Sequence, residues 1–319
     1  MAVYTEVTDE ALAEFLAGYE IGGMVAFRGI AEGVENSNYA LKTTQGDFIL
    51  TLYEKRVDPA DLPWFLGLME HLAAHGLSCP LPVRARNGAN LNPLAGRIAA
   101  ITTFLPGVWP RRVQIGHCAP LGAALAGLHQ AGAGFAATRR NGLGPESWHN
   151  LLQKSLPRAD EVQAGLGATL TAQLAAITAA WPQNLPTGHI HADLFPDNVF
   201  FLNGEISGLI DFYFACTDFY AYDIAICLNA WCFERDFSFN ITKSRALLRG
   251  YQAVRALTAA EAKAMPVLAQ GAAMRFLLTR LYDWLNTPAG ALVTRKDPLD
   301  YASRLRFHLS ASGPHDYGF

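Results

Sequence analysis

Charge is scarce in this chain. Only 17% of its 319 residues are Asp, Glu, Lys or Arg, and 25 basic side chains face 28 acidic ones, for a formal net charge of −3. With no basic excess there is little to neutralise a row of phosphates, so nucleic acid is excluded as the expected partner. Cysteine is sparse as well. The five present are odd in number and lack the paired spacing of a disulfide framework or a zinc site. Cys227 and Cys232, the closest pair, stand five apart, which is no ligand spacing, and they read as core thiols. No Lys or Arg precedes Arg28, whereas Glu6, Asp9, Glu10 and Glu14 do, so a secretory signal is not expected. Long uncharged apolar runs are also lacking. Asp211, Asp218 and Asp223 interrupt one candidate, and Arg275, Arg280 and Asp283 another, before either reaches the ~18 residues a bilayer span needs. These absences lead to the expectation of a cytoplasmic protein without membrane partners; a monomer or weak homo-oligomer is expected, although no sequence feature reports the oligomeric state.

What is abundant is apolar material, 51% of the chain. A single core seldom grows past about 250–300 residues, so two lobes are expected. Residues 8–19 predict a helix capped by Thr8 or Asp9 and ended by Gly18. Strand-like runs follow at Val25–Gly29, Tyr39–Thr43 and Phe48–Tyr53, the last two forming a hairpin. A helix at Asp61–His75 and a strand at Gly96–Thr103 complete this region. Phe104-Leu105-Pro106-Gly107 ends it, because Pro and Gly together stop a ladder. Residues 1–105 are therefore expected to form one lobe and 106–319 the other. Helical spacing dominates beyond: Ala119–Ala131, the Ala/Leu-rich Leu151–Trp181, Ser244–Leu257 and Val267–Leu285.

One stretch breaks the helical pattern. His191-Ala192-Asp193-Leu194-Phe195-Pro196-Asp197-Asn198 leads into the apolar run Val199–Leu202, then Asn203-Gly204, then Ser207-Gly208-Leu209-Ile210-Asp211-Phe212. Asn-Gly between two β-rich runs is a strong hairpin signal. It sets Asn198 at the start of one strand and Asp211 at the end of the other, and two oxygen ligands so placed suit a hard cation such as Mg²⁺. Asp193 falls in the loop ahead, where a carboxylate can accept the proton of an attacking hydroxyl. This is the set of groups that phosphoryl transfer needs, in which positioning and charge neutralisation supply most of the acceleration. His191 is assigned a structural part.

These residues resemble the catalytic and metal-binding signatures shared by protein kinases and aminoglycoside phosphotransferase-like enzymes. Ala192 where protein kinases carry Arg, with no Ala-Pro-Glu and no long activation segment, favours the small-molecule branch. The runs 212–233, 280–284, 33–39 and 50–56 are similar to the branch of the aminoglycoside phosphotransferase-like (protein-kinase-like) family whose acceptor is L-homoserine. The resemblance extends from Val3 to about His308. It implies an α+β, bilobal protein-kinase-like fold, with a small antiparallel-sheet N-lobe and a mainly helical C-lobe. It also implies ATP and Mg²⁺, and phosphorylation of the homoserine side-chain hydroxyl on the route to threonine. By the same resemblance Asp193 is the base and Asn198 and Asp211 are the metal ligands. Gly33, Asn36, Ser37 and Asn38 turn over the phosphates, Thr102 and Phe104 belong to the hinge beside adenine, and Phe200 and Ile210 lie under its ring. One departure stands out. Where the family carries a third-strand Lys or Arg, the hairpin register puts Thr51, with Lys42 and Lys55 as substitutes.

A free amino acid needs a cation for its carboxylate and an anion for its ammonium. Arg275, Arg280, Asp218 and Asp283 are the candidates, each with an interhelical ion pair as the plainer reading. Asp223 is expected to brace the catalytic loop, and His129 to be packed. Two rivals stay open: a kinase of this fold acting on an amino sugar, choline or ribose derivative, and an inactive nucleotide-binding scaffold. Thr51 favours the scaffold, whereas Asp193, Asn198 and Asp211 together argue against it.

Overall fold

In the computed structural model, which describes residues 5–30, 36–54, 58–287 and 295–319, Thr8 opens the first helix. Its hydroxyl accepts the Ala11 amide at 3.2 Å, and α1 (Asp9–Ala17) runs to Gly18. A five-stranded sheet follows, built from β1 (Met24–Gly29), β2 (Ser37–Thr43), β3 (Gly46–Tyr53), β4 (Asn92–Leu94) and β5 (Arg97–Thr103), with α2 (Leu62–Ala74) between β3 and β4. The strand order is β1-β2-β3-β5-β4 and every neighbouring pair is antiparallel. Opposed residues share a face. Tyr39, Leu50 and Ile101 therefore line one side, packed with Leu12 and Leu16 of α1, and Asn38, Thr51 and Ala100 line the other. Strand β4 was not anticipated. It is only three residues long, and the turn into β5 rests on positive φ at both Ala95 (48°) and Gly96 (74°).

The chain separates into two compact units, Met1–Gly107 with Ser207–Tyr213, and Val108–Ile206 with Phe214–Phe319. Asp211 thus belongs to the sheet-bearing unit although it lies far along the sequence. The second unit holds α3 (Ile115–Ala131), α4 (Pro145–Ser155), α5 (Leu166–Ala179), β6 (Thr187–Ile190), β7 (Val199–Leu202), most of the short strand β8 (Glu205–Leu209) excepted, β9 (Cys216–Phe219), α6 (Tyr220–Trp231), α7 (Ile241–Gln252), α8 (Ala259–Asn286) and α9 (Leu299–Ser310). Strand β6 pairs antiparallel with β9. β7 and β8 form the expected hairpin, with Asn203 (φ 53°) and Gly204 (φ 87°) both in the left-handed region that a tight two-residue turn demands.

The Leu151–Trp181 run is not one helix. Pro157 opens a 3₁₀ turn over Leu156–Glu161, and Gly165 takes φ 76° before α5 begins. The Asp160 carboxylate accepts the amides of Gly165 (3.2 Å) and Gly167 (2.9 Å), so the break is itself a cap. Helices α3 and α7 approach closely at two glycines. A Cβ on Gly122 would stand 2.0 Å from the Leu247 carbonyl oxygen, and one on Gly250 would stand 2.0 Å from that of Ala119. All five cysteines are free and buried, as expected for core thiols. No helix among the described residues is long and apolar enough to cross a membrane.

His308 of α9 supplies a pH response. The Asn229 amide nitrogen donates to the Ala225 and Ala269 carbonyls, so its oxygen accepts from His308 Nε2 at 3.1 Å. His308 Nδ1 then accepts from the Tyr317 hydroxyl at 3.0 Å. Burial, helped by the Arg304 charge, pushes its pKa from 6.5 down to about 3. Between those two values the unfolded chain binds a proton that the folded chain refuses. The stability is therefore complete above pH 6.5 and is lost as the pH falls towards 3. Wild-type protein should lose about 2 kcal/mol through this group between pH 6.5 and about pH 5. His308→Gln should flatten the fall of the urea midpoint over that interval, and parallel curves for the two proteins would contradict the assignment.

Candidate active site

The loop after β6 is fixed by donors and acceptors that come from elsewhere in the second unit. Ala192 stands at φ 61°, an uncommon conformation for a residue with a Cβ. Asp223, in the first turn of α6, makes that geometry tenable: its carboxylate accepts the amides of His191 at 2.7 Å and Ala192 at 2.9 Å. The Arg275 guanidinium donates to the Ala192 carbonyl, and the Trp231 indole to that of Leu194 at 2.8 Å. Between these anchors the Asp193 side chain is half-buried. Its amide donates to His191 Nδ1 at 3.3 Å, which confirms a structural part for that wholly buried histidine.

Asn198 closes the loop just before β7. Its Nδ2 donates to the Asp193 carbonyl at 2.8 Å and lies 3.4 Å from Asp193 Oδ2. With the nitrogen so committed, the amide oxygen is the group left for a cation, as a hard divalent ion requires.

Asp223 is supported in turn by a chain that the sequence did not reveal. Arg255 Nη1, a donor only, gives a hydrogen bond to the Tyr251 hydroxyl at 3.1 Å. The Tyr251 O–H then donates to His129 Nδ1 at 2.8 Å, and His129 Nε2–H donates to Asp223 at 3.1 Å. Burial lowers the His129 pKa, against the opposing pull of the Asp223 carboxylate. Burial also opposes the charge on Asp223, yet the His129 and His191 interactions together hold its carboxyl below the ordinary value. His129 is packed, as expected, and is also the link between α3 and the loop.

In the sheet-bearing unit, Asp211 follows β8 at φ 65° and is exposed. The groups around Thr51, where a strand cation is expected, are neutral among the described residues. Thr51 is buried, and its hydroxyl donates to Asn38 Oδ1 at 2.8 Å. Beside it the Tyr53 and Tyr213 hydroxyls lie 2.9 Å apart. Burial pushes the Tyr213 phenol up to about 12, with the Asp211 charge adding to the shift. Lys42 is exposed at the far end of β2, opposite Asp47.

Other expected positions fare differently. Gly33 and Lys55 lie outside the described residues. Asn36 and Ser37 are both buried, with Asn36 Oδ1 accepting the Glu54 amide at 3.2 Å and the Ser37 hydroxyl donating to Glu54 Oε1 at 2.7 Å, so their side chains tie the start of β2 to the end of β3. Arg275 is 1% exposed, bonded to the Ala192 carbonyl and stacked on Phe276 at 4.5 Å, so it braces the loop, while its Nε is buried without a partner among the described residues. Thr102 is buried in β5, while Phe104 is 44% exposed with its amide on the Asp47 carbonyl at 3.3 Å. Phe200 and Ile210 are half-buried. Asp218, on β9, accepts from Asn141 Nδ2 at 2.7 Å, and burial raises its pKa in spite of that bond. Asp283 sits half-buried in the last turn of α8, where its carbonyl accepts the Thr287 amide at 2.9 Å. Arg280 pairs with Asp300 at 3.2 Å.

A five-stranded antiparallel unit and a helical unit with a loop of this construction define a protein-kinase-like phosphotransferase. Residues 26–257 match the phosphotransferase enzyme family, and the chain belongs to it. Over 318 residues the chain is 75% identical to the homoserine kinase of Acidiphilium cryptum (strain JF-5), covering 100% of both chains. It is 70% identical, again over 100% of both, to the homoserine kinase of Granulibacter bethesdensis (strain ATCC BAA-1260 / CGDNIH1). Among solved structures it resembles an amicoumacin kinase in complex with AMP-PNP, Ca²⁺ and its ligand (TM-score 0.74, 16% identity, 94% of this chain and 92% of the other). A choline kinase from Cryptosporidium parvum Iowa II is also similar (TM-score 0.66, 13% identity, 95% and 94%).

Proposed function

We infer that the protein transfers the γ-phosphoryl group of ATP to the side-chain hydroxyl of L-homoserine, forming O-phospho-L-homoserine on the route to threonine. The observation that carries this is the 75% identity to a homoserine kinase with both chains covered end to end.

In this reading Asp193 orients the homoserine hydroxyl and accepts its proton as the oxygen bonds to phosphorus and the bond to the β-phosphate oxygen breaks, releasing ADP. Little proton removal is needed early, so a carboxylate suffices. Asn198 and Asp211 are the proposed ligands of Mg²⁺, and two protein oxygens with phosphate oxygens and water suit that ion. When bound, it supplies neutralisation of the phosphate charge. Thr102, Phe104, Phe200 and Ile210 are assigned to the adenine, and Lys42 remains a candidate for the phosphates. Asp218 and Asp283 are assigned to the acceptor's ammonium.

Purified protein with ATP and Mg²⁺ should release ADP in step with L-homoserine consumed, and should ignore an aminoglycoside, choline and a ribose derivative. Turnover of one of those with none of homoserine would overturn the substrate assignment.

A further inference from the structure

Helix α9 carries Tyr301 and Arg304 on one face, a single turn apart. Tyr301 is wholly buried, and its hydroxyl has no hydrogen-bond partner among the described residues. Two guanidinium groups rest on its ring, with the Arg304 and Arg280 carbons at 4.4 and 4.6 Å from the centroid. Arg280 is partly answered by Asp300 and by the Asp297 carbonyl, each at 3.2 Å. Arg304 has no carboxylate partner among the described residues, and its Nε is buried without an acceptor. Two cations share one carboxylate here, and burial followed by Arg304's charge lowers the Arg280 pKa. Both arginines are half-buried, and a partly desolvated charge short of a counter-ion is costly, so the cluster calls for an anion.

The cluster lies beside the proposed base. Phe276 packs on Tyr301 at 5.3 Å and on Phe195, two residues beyond Asp193, at 4.9 Å. The Tyr301 phenol also feels the Asp193 charge.

We propose that Arg304, together with Arg280 and the Tyr301 hydroxyl, binds the carboxylate of the acceptor amino acid. The proposal rests on the homoserine reading above. Homoserine carries its hydroxyl and carboxylate at the two ends of one short chain, so the group that holds the carboxylate must stand close to the base. The guanidinium fork matches a carboxylate in geometry as well as charge. The ligand supplies an acceptor for the Tyr301 O–H and Arg304 Nε, and a second negative charge for the two arginines.

The test compares L-homoserine with 3-aminopropan-1-ol, the same amino alcohol without its carboxylate, for wild type, Arg304→Gln and Tyr301→Phe. Wild type should prefer homoserine. Arg304→Gln should raise the homoserine KM by about 10- to 100-fold and shrink the homoserine-to-aminopropanol ratio of kcat/KM by the same factor, with the ATP KM unmoved. Tyr301→Phe should shrink it by about 10-fold. If Arg304→Gln does not fold, Arg304→Lys, which keeps the charge and loses the fork, gives the same ratio readout. A packing role alone would depress both acceptors in parallel, and an unchanged ratio overturns the proposal while leaving homoserine phosphorylation intact. A wild type inactive on homoserine overturns both.

Discussion

Asp193→Asn should lower kcat by about 100- to 10,000-fold, the usual range for removing a positioned general base. The reason is local. The short bonds that hold the loop come from the Asp193 backbone and from Asn198, Asp223, Arg275 and Trp231, with the Asp193 carboxylate adding the 3.4 Å contact to Asn198 Nδ2, so an isosteric amide removes the proton acceptor and keeps most of the frame. The ATP KM should therefore change little, and the melting temperature should stay within about 2 °C of wild type. Steady-state kinetics on both substrates, with a thermal scan of each protein, checks this. A variant within about tenfold of wild-type kcat would remove Asp193 from the role given to it.

Asp223→Ala should be the most damaging substitution to the fold of the loop. It deletes the acceptor for two backbone amides and for His129 Nε2, and leaves all three donors buried. Breaking a buried charged network of this kind costs about 3–5 kcal/mol, which corresponds to a drop of roughly 10 °C in melting temperature. Activity should fall by about 100-fold or more, because the displaced Ala192 carries Asp193 with it. Asp223→Asn, which retains one oxygen and the shape, should lie between wild type and Ala in both measurements. Wild-type melting and turnover for Asp223→Ala would show that the loop holds itself.

The β7–β8 hairpin was legible because its information is contiguous. Asn203-Gly204 dictates the turn, and the spacing from Asp193 to Asn198 to Asp211 follows within one short stretch. Its bracing was not legible. His129 meets Asp223 across 94 residues of sequence, and Tyr251 joins them from a third helix, so no local pattern encodes the chain. The bond from Arg275 to the Ala192 carbonyl was hidden for a related reason: a lone arginine on an apolar helix gives the same sequence signal whether it faces a ligand or a backbone carbonyl. The long Ala/Leu run concealed its break because alanine keeps helical periodicity through almost any window. Only Pro157, Gly165 and the capping Asp160 mark where it stops. Tyr301 and Arg304 carry a readable one-turn spacing, but the absence of an acidic neighbour for Arg304 emerges only once α8 and α9 are placed.

The glycine contact between α3 and α7 acts as a gauge block for the chemistry. Helix α3 supplies His129 and α7 supplies Tyr251, and the 2.8 Å bond between them depends on how near the two axes lie. Gly122 and Gly250 set that separation by leaving nothing but hydrogen between one helix and the other's carbonyl oxygens. Two side-chain-free positions remote from any substrate thereby calibrate the alignment of the loop that carries Asp193.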